Sequence, residues 1–437
     1  MFQTLRNAFK IKELRQKLLY TFLMLIVIRV GCQLASPMIN SEAIKQFLNS
    51  SLGDSFSLLN SFTGGSFEQM SIFALNVSPY ITASIIIQLL TIAIPVLEEM
   101  HKDGEDGRKK INKITRFVTV ALAMGESLGL AITFGRKGYL ESYGFLSVLT
   151  VVATLTAGSA LVMWLGERIT EKGVGNGISI ILLINILSRI PGDLYGLYEK
   201  FMKNKEIGTV VIAGAIILAV IVATTVLVVL LQDAERRIPV QYAKKMQGRK
   251  MVGGQSSHIP LKVNTAGVIP VIFASSLLQF PLVITQLFSV KTTGFWGAVM
   301  KSLNSGNWCN LDDLKYSVGL LVYIFLVVFF AYFYTSITFN PLEVADNMKK
   351  QGGFIPGIRP GKPTTEYLTK MLNYIIFIGA VGLIIVAIIP IFFNGAFKAS
   401  VTFGGTSLII IVGVILETIK QIESKMLVRN YKGFLND

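Results

Sequence analysis

Long apolar segments without a charged residue are the feature that most limits what this chain can fold into. A helix needs about 20 mostly apolar residues to cross the hydrocarbon core of a bilayer. Six segments meet this requirement without Asp, Glu, Lys or Arg: 76–96, 145–166, 209–231, 264–288, 316–339 and 371–393. Four weaker segments, 18–35, 117–134, 174–188 and 404–419, complete a predicted set of ten spans. Unbroken apolar runs of this length favour helices over the alternating strands of a membrane barrel, so the sequence predicts an all-α polytopic membrane protein.

The basic residues are distributed unevenly between the loops that join these spans. Only 15% of the residues are charged, where soluble domains have about 25%. The termini and the even-numbered loops hold 29 of the 41 Lys and Arg residues, and the odd-numbered loops hold 11. Because cytoplasmic loops carry an excess of Lys and Arg, both termini are predicted to be cytoplasmic, as segments 1–17 and 420–437.

Ten spans divide into two sets of five. The first half is predicted to cover 18–188 and the second 209–419, with an external hinge loop at 189–208. An odd number of spans in each half inverts one half relative to the other in the membrane. In that architecture, binding or conducting sites lie between the halves. No clear sequence repeat relates them, so the symmetry is an expectation from counting alone.

The sequence contains no pattern typical of catalysis or of metal binding. It has neither an H-E-x-x-H motif nor a phosphate loop, and its two cysteines and two histidines lie far apart. We therefore expect no enzyme activity, no metal and no cofactor. Only Arg29, Glu126 and Glu417 are charged within the spans. That is few for an ion-coupled transporter, which needs ionisable groups at the membrane midplane.

Three kinds of segment carry further information. The cytoplasmic loops 232–263 and 340–370 are long and basic, which favours docking of an anionic partner such as ribosomal RNA or an acidic protein surface. The outer loop 36–75 is nearly uncharged, and apolar residues before its Gly64-Gly65 pair predict a short helix that folds back into the bundle. Hydroxyl and amide residues in two spans indicate either close packing or a seam that opens. Pro79 and Pro270 lie inside spans, where kinks are either hinges or ordinary tolerated bends.

Several motifs in this order give the chain a family resemblance. They are Ser71–Leu75 with Pro79–Leu90, Gly104–Lys110, Met163–Thr170, Gly175–Ile180, Leu261–Asn264, Ala266–Pro270, Phe354–Gly361 and Phe403–Leu408. With these motifs on these spans, the chain resembles the SecY family over almost its whole length. The family consists of central subunits of protein-conducting channels, with two inverted five-helix halves around a pore that a short helix plugs.

The resemblance implies functional residues by position in these motifs. An aliphatic ring at the waist of the pore would comprise Val77, Ile81, Ile178, Leu182, Ile272 and Ile410. Val77 and Leu182 replace isoleucines common in bacterial relatives, so the packing of the ring is expected to differ. A lateral gate would include Ser84, Gln88, Ser275 and Ser276. The plug would cover about 55–69, with Phe56, Leu58, Leu59, Phe62, Gly64 and Gly65. Docking of SecA or the ribosome would use Arg236, Arg237, Arg249, Lys250 and Arg359.

The resemblance also implies partners and a location. Expected partners are the SecE and SecG subunits, the SecA ATPase, the ribosome, signal peptides and nascent membrane proteins, in the bacterial plasma membrane. Two other classes remain open from the residues alone. One is a secondary transporter of a small solute built from inverted repeats, and the other is an insertase-type scaffold without a pore. The transporter needs a polar midplane site, whereas the scaffold needs neither ring nor plug.

Overall fold

The computed structural model describes residues 2–51, 63–203, 205–242, 245–247, 250–252, 256–287, 294–309, 314–397 and 405–433. These ranges are mainly helical. The helices of the first part are α1 (Phe2–Lys10), α2 (Lys12–Gly31), α3 (Ser41–Ser51), α4 (Ser78–Ala93), α5 (Pro95–Lys102), α6 (Gly104–Arg136), α7 (Phe145–Lys172) and α8 (Gly177–Phe201). Those of the second part are α9 (Ile207–Asp233), α10 (Ile269–Leu287), α11 (Gly294–Leu303), α12 (Val318–Thr338), α13 (Pro341–Lys350), α14 (Lys362–Phe397) and α15 (Gly405–Gly433).

Each of the ten predicted spans overlaps one helix: α2, α4, α6, α7, α8, α9, α10, α12, α14 or α15. Within the described ranges, six helices are long and apolar enough to cross a bilayer, or seven if α4 and α5 form one bent span. Those two helices meet at 107°, because Ile94 is extended before Pro95. The predicted class, an all-α polytopic membrane protein, is confirmed, while the count of ten spans stays a prediction.

Two local expectations differ from the structure. Pro79 and Pro270 are each the second residue of a helix, α4 and α10. The first turn of a helix leaves its N–H groups unpaired in any case, so proline fits there without a kink. The interpretation of these two prolines as hinges inside the spans is therefore wrong. Helix α8 also continues through Pro191 to Phe201, so 189–201 of the predicted outer loop is helical, with Leu197 buried.

The two sets of five helices repeat the same neighbour relations. In the first set, α4 packs against α6, α6 against α7, and α7 against α8, while α2 contacts both α7 and α8. In the second set, α10 packs against α12, α12 against α14, and α14 against α15, while α9 contacts both α14 and α15. Between the sets, α8 packs against α15 and α6 against α10. The structure thus contains an equivalence that the sequence does not reveal.

A small sheet joins two loops that are far apart in sequence. The strands are β1 (Glu235–Tyr242), β2 (Lys245–Gln247), β3 (Lys250–Val252), β4 (Ser256–Lys262) and β5 (Gly353–Phe354). Strand β1 pairs antiparallel with β4 on one side and with β5 on the other, whereas β2 and β3 form a separate hairpin. The sheet therefore links loop 232–263 to loop 340–370, and the sequence patterns did not predict it.

Candidate functional site

The aliphatic residues predicted to form a ring lie in one apolar cluster, here called the waist. Three of them are buried in it (Val77, Leu182 and Ile410) and three pack against it while partly exposed (Ile81, Ile178 and Ile272). They come from α4 and α8 of the first set and from α10 and α15 of the second, each within the first two turns or directly before them. Four helix starts thus converge here. The structure brings the six predicted residues together, and their role as a constriction stays a prediction.

The start of α8 is fixed by a cap and by a close backbone approach. The side-chain oxygen of Asn176 accepts hydrogen bonds from the backbone N–H groups of Ile178 and Ser179, at 3.1 and 3.4 Å. This satisfies two donors that a helix start leaves unpaired. At Gly177 a Cβ would overlap the carbonyl oxygen of Gly166 on α7. The glycine therefore lets α8 begin directly against α7, which places Ile178 at the waist.

The start of α4 depends on an unusual backbone conformation at Asn76. Its φ of 48° is left-handed, a region that asparagine tolerates better than most residues. The Asn76 carbonyl accepts a hydrogen bond from Ser159 Oγ of α7 at 3.0 Å, and its side-chain oxygen accepts one from Val77 N–H at 2.9 Å. Its side-chain nitrogen lies 3.8 Å from Cys32 Sγ of the first span. These bonds hold Val77 and Ile81 at the waist.

The outer segment 63–70 packs into the bundle beside the waist. Thr63, Gly64, Ser66, Phe67 and Met70 are buried. The Ser66 hydroxyl approaches the carbonyl oxygens of Thr63 and Phe73, at 2.8 and 3.0 Å. Of the predicted plug residues, Gly64 and Gly65 lie in this segment. The other plug residues lie outside the described residues: Phe56, Leu58, Leu59 and Phe62.

The predicted gate residues make their hydrogen bonds inside their own half. On α4 the Gln88 amide nitrogen lies 3.4 Å from Ser84 Oγ. On α10 the Ser275 hydroxyl donates to the Val271 carbonyl at 2.8 Å and also bonds to Tyr323 of α12. Ser276 is exposed. These contacts fit close packing, so an opening seam at the four predicted residues remains a proposal, next to the observed contact of α6 with α10.

The small sheet presents arginines on one strand. Arg236 and Arg237 of β1 are exposed, and Arg237 forms an ion pair with Glu235 at 2.7 Å. Between them and the helices lies an apolar cluster that unites both loops: Ile238, Val240, Leu261, Ala345, Met348, Ile355, Leu368 and Ile375. Arg249 and the side chain of Lys250 lie outside the described residues. Of the predicted docking residues, the sheet thus places two on a common strand.

A second arginine site lies on a tight turn of the same region. Arg359 is exposed between Gly357 and Gly361, whose φ values of 83° and 106° favour glycine. The Arg359 carbonyl accepts a hydrogen bond from Thr364 Oγ1 at 2.9 Å. The preceding Ile358 packs against the apolar cluster under the sheet. The turn is therefore anchored through its backbone and Ile358, and it carries the exposed Arg359.

Sequence reasoning missed the strands of the sheet and their buried residues. The signal was present: Ile238 and Val240 alternate with exposed neighbours, a period of two that predicts a half-buried strand. Arg29, one of the three charged residues in the predicted spans, donates from its side chain to the Gly64 carbonyl.

Comparison with known proteins gives matches over most of the chain. The SecY family model matches residues 71–419. The protein translocase subunit SecY of Streptomyces scabiei is 46% identical over 450 residues, covering 100% of both chains. The protein of the same name from Halalkalibacterium halodurans is 43% identical over 447 residues, again covering 100% of both.

Solved structures share the fold at lower identity. A structure described as a protein-conducting channel superposes with a TM-score of 0.63 at 17% identity, covering 94% of this chain and 92% of that one. The Sec61 chain of a canine ribosome–channel complex from the endoplasmic reticulum superposes with a TM-score of 0.61 at 16% identity, with the same coverage.

Proposed function

The chain belongs to the SecY family, and on that premise we propose that it is the central subunit of a protein-conducting channel. It passes unfolded polypeptides across the membrane and releases transmembrane segments sideways into the bilayer. The observation that carries this proposal is the waist, where six aliphatic residues from four helices and both halves meet.

The chemistry of the waist suits a passage that must accept any polypeptide. A narrow apolar ring resists water and ions, yet it offers no hydrogen bond or charge that would retain a particular side chain. A ring of charges would instead bind some segments and reject others. The transporter alternative requires ionisable groups at the midplane, whereas this junction between the halves is lined by aliphatic side chains. Membership of the SecY family also favours the channel.

The remaining predicted parts supply a sequence of events. A partner docks on the cytoplasmic loops 232–263 and 340–370. A signal sequence then inserts between the halves, at Ser84 and Gln88 on one side and Ser275 and Ser276 on the other. The plug at about 55–69 moves outward, and the waist widens around an extended chain.

The chain itself catalyses no covalent reaction in this scheme, so the driving energy comes from the SecA ATPase or from the ribosome. Exposed Arg236, Arg237 and Arg359 supply charge for docking. SecE and SecG complete the complex, in the bacterial plasma membrane with both termini cytoplasmic. The basic excess of the termini and the even-numbered loops supports that orientation. The relative in the canine ribosome–channel complex supports a ribosome as partner.

The experiment is transport into vesicles that contain the full complex with SecA and ATP. The wild-type protein is expected to import an unfolded secretory protein and to keep a low resting ion conductance. Ile81→Asp is expected to raise the resting conductance roughly tenfold or more, because a carboxylate brings water into a ring that excludes it. Ile81→Leu, which conserves volume, is the control and should stay near wild type. Absence of import by the wild-type complex, or unchanged conductance in folded Ile81→Asp, would refute the proposal.

A further inference from the structure

Two arginines tie the outer segment 63–70 to the first half of the bundle. Arg29 Nη1 of α2 donates to the Gly64 carbonyl at 3.4 Å. Arg189 Nη1 of α8 lies 3.4 Å from Glu68 Oε2. The Arg189 and Glu68 side chains are only 20% and 18% exposed, which makes this the least exposed ion pair within the described part of the chain. The segment is thus held from two helices at once.

These ties lie directly outside the waist. Leu182, Asn185 and Arg189 follow one another on α8 at spacings of three and four residues, so they share one face of the helix. Arg189 is therefore about 10 Å along the helix from the waist residue Leu182. A Cβ on Gly64 would lie 2.9 Å from Asn185 Cα and 2.8 Å from Arg29 Nη1. The backbone of the segment consequently rests on α8 one turn beyond the waist.

Glycine is required where the segment meets both helices. Gly64 and Gly65 have φ values of 65° and 85°, in the left-handed region that favours glycine. An added Cβ at Gly65 would stand 3.5 Å from Arg189 Nη1, so this residue also lies beside the ion pair. The turn therefore brings the Gly64 carbonyl to Arg29, and the Glu68 carboxylate to Arg189.

We propose that Arg29 and Arg189 are positioning residues that hold segment 63–70 over the outer side of the waist in the resting channel, through the Gly64 carbonyl and the Glu68 carboxylate. This inference rests on the proposed function and adds to it a means of keeping the channel closed. The contacts that hold the segment are made by charged side chains, whereas the waist itself is apolar.

The chemistry explains how such a tie can be both firm and reversible. In a dry, low-dielectric setting the attraction between two charges is stronger than at a wet surface. Charged donors also make stronger hydrogen bonds than neutral ones. When a polypeptide widens the waist, water enters beside the pair and screens it. The tie is therefore strongest in the closed state and weakens as the channel opens.

The test measures resting ion conductance of the full complex in planar bilayers. Glu68→Gln and Arg189→Gln are each expected to raise the resting conductance roughly tenfold, because each removes the ion pair that ties the segment to α8. The double exchange Glu68→Arg with Arg189→Glu restores the pair and is expected to bring conductance most of the way back. Glu199→Gln is the matched control, since it removes the exposed Glu199–Lys203 pair of the same helix, and it should match wild type.

The outcomes separate this inference from the proposed function. Import of a secretory protein is measured with the wild-type complex in the same preparation, and its absence would refute the proposed function. If the wild type imports protein but both single variants keep wild-type conductance, the holding role alone is wrong. If the double exchange conducts as much as the single variants, lost packing rather than lost charge pairing raised the conductance, and the inference is likewise refuted.

Discussion

The waist and the small sheet of β1, β4 and β5 are built by opposite means. The waist forms where four helices begin, and its lining is aliphatic throughout the six predicted residues. The sheet forms where a strand from one loop pairs with a two-residue strand from another, and it buries Ile238 and Val240 while exposing Arg236 and Arg237. One region contributes shape without charge, and the other presents charge on a rigid support.

The difference teaches how one chain can be unselective at one place and selective at another. A passage for many polypeptides must avoid hydrogen bonds and charges that favour one side chain. A docking surface must instead fix charges in space, since steering and register depend on where they stand. Predictions that disturb one region and leave the other intact therefore test whether the two are independent.

The largest expected effect is at the waist, from Gly177→Ala. The added methyl group would meet the Gly166 carbonyl of α7, so α8 must shift away from its neighbour. Rigid backbone contacts of this kind cannot relax by side-chain rotation. We expect the substitution to cost about 3 kcal/mol of stability, measured as a lower midpoint of thermal unfolding of the purified complex in mild detergent.

Gly196→Ala on the same helix is the matched control. Gly196 is exposed, and apart from its chain neighbours and the backbone of its own helix no atom lies within 4 Å of the position that an alanine methyl group would occupy there. Alanine is favoured over glycine in helices by about 1 kcal/mol, so the control should be neutral or slightly stabilising. Equal losses at both positions would contradict the close approach of α8 to α7.

The spans could be predicted from sequence because lipid imposes a simple demand. Every backbone group must be paired within the segment, so a long apolar run can only be a helix. Segments in water do not have this requirement, because water can pair with their backbone groups. Strand β5, Gly353–Phe354, is too short to show a pattern, and its partner strand β1 lies in another loop. Only the tertiary structure brings the two together.

Within the site, positions inside local motifs could be predicted, whereas contacts between distant parts of the chain could not. The aliphatic residues of the waist follow from motif positions, because those motifs stand at the helix starts. The contact between Gly177 and Gly166 and the pairing of Arg189 with Glu68 join distant parts of the chain. Arg189 even lay in the predicted external loop 189–208, whereas α8 continues through Pro191 to Phe201.

A smaller and more local effect is expected in the sheet, from Ile238→Ala. Ile238 is buried in the cluster beneath β1, and removing its side-chain carbons leaves a cavity. We expect a local loss of about 2 kcal/mol, seen as faster amide hydrogen exchange in 235–242 and 256–262. Exchange at the start of α8 should not change. Gln241→Ala, at an exposed position of the same strand, is the control. Faster exchange at both regions would show that they are not independent.

The smallest effect on stability, and a diagnostic one on binding, is expected from Arg359→Gln. Arg359 is exposed, so its loss should change stability by less than about 0.5 kcal/mol. If its guanidinium contacts a phosphate of ribosomal RNA, the slope of log affinity against log salt should fall by about one.

Arg237→Gln is the comparison, because the Arg237 guanidinium is already paired with Glu235 at 2.7 Å and has less charge to offer. Ribosome binding to the purified complex, measured over a salt series, decides between them. A slope change at Arg237 as large as that at Arg359 would show that the ion pair does not restrain docking. An unchanged slope at Arg359 would show that ribosomal RNA docks elsewhere on the protein.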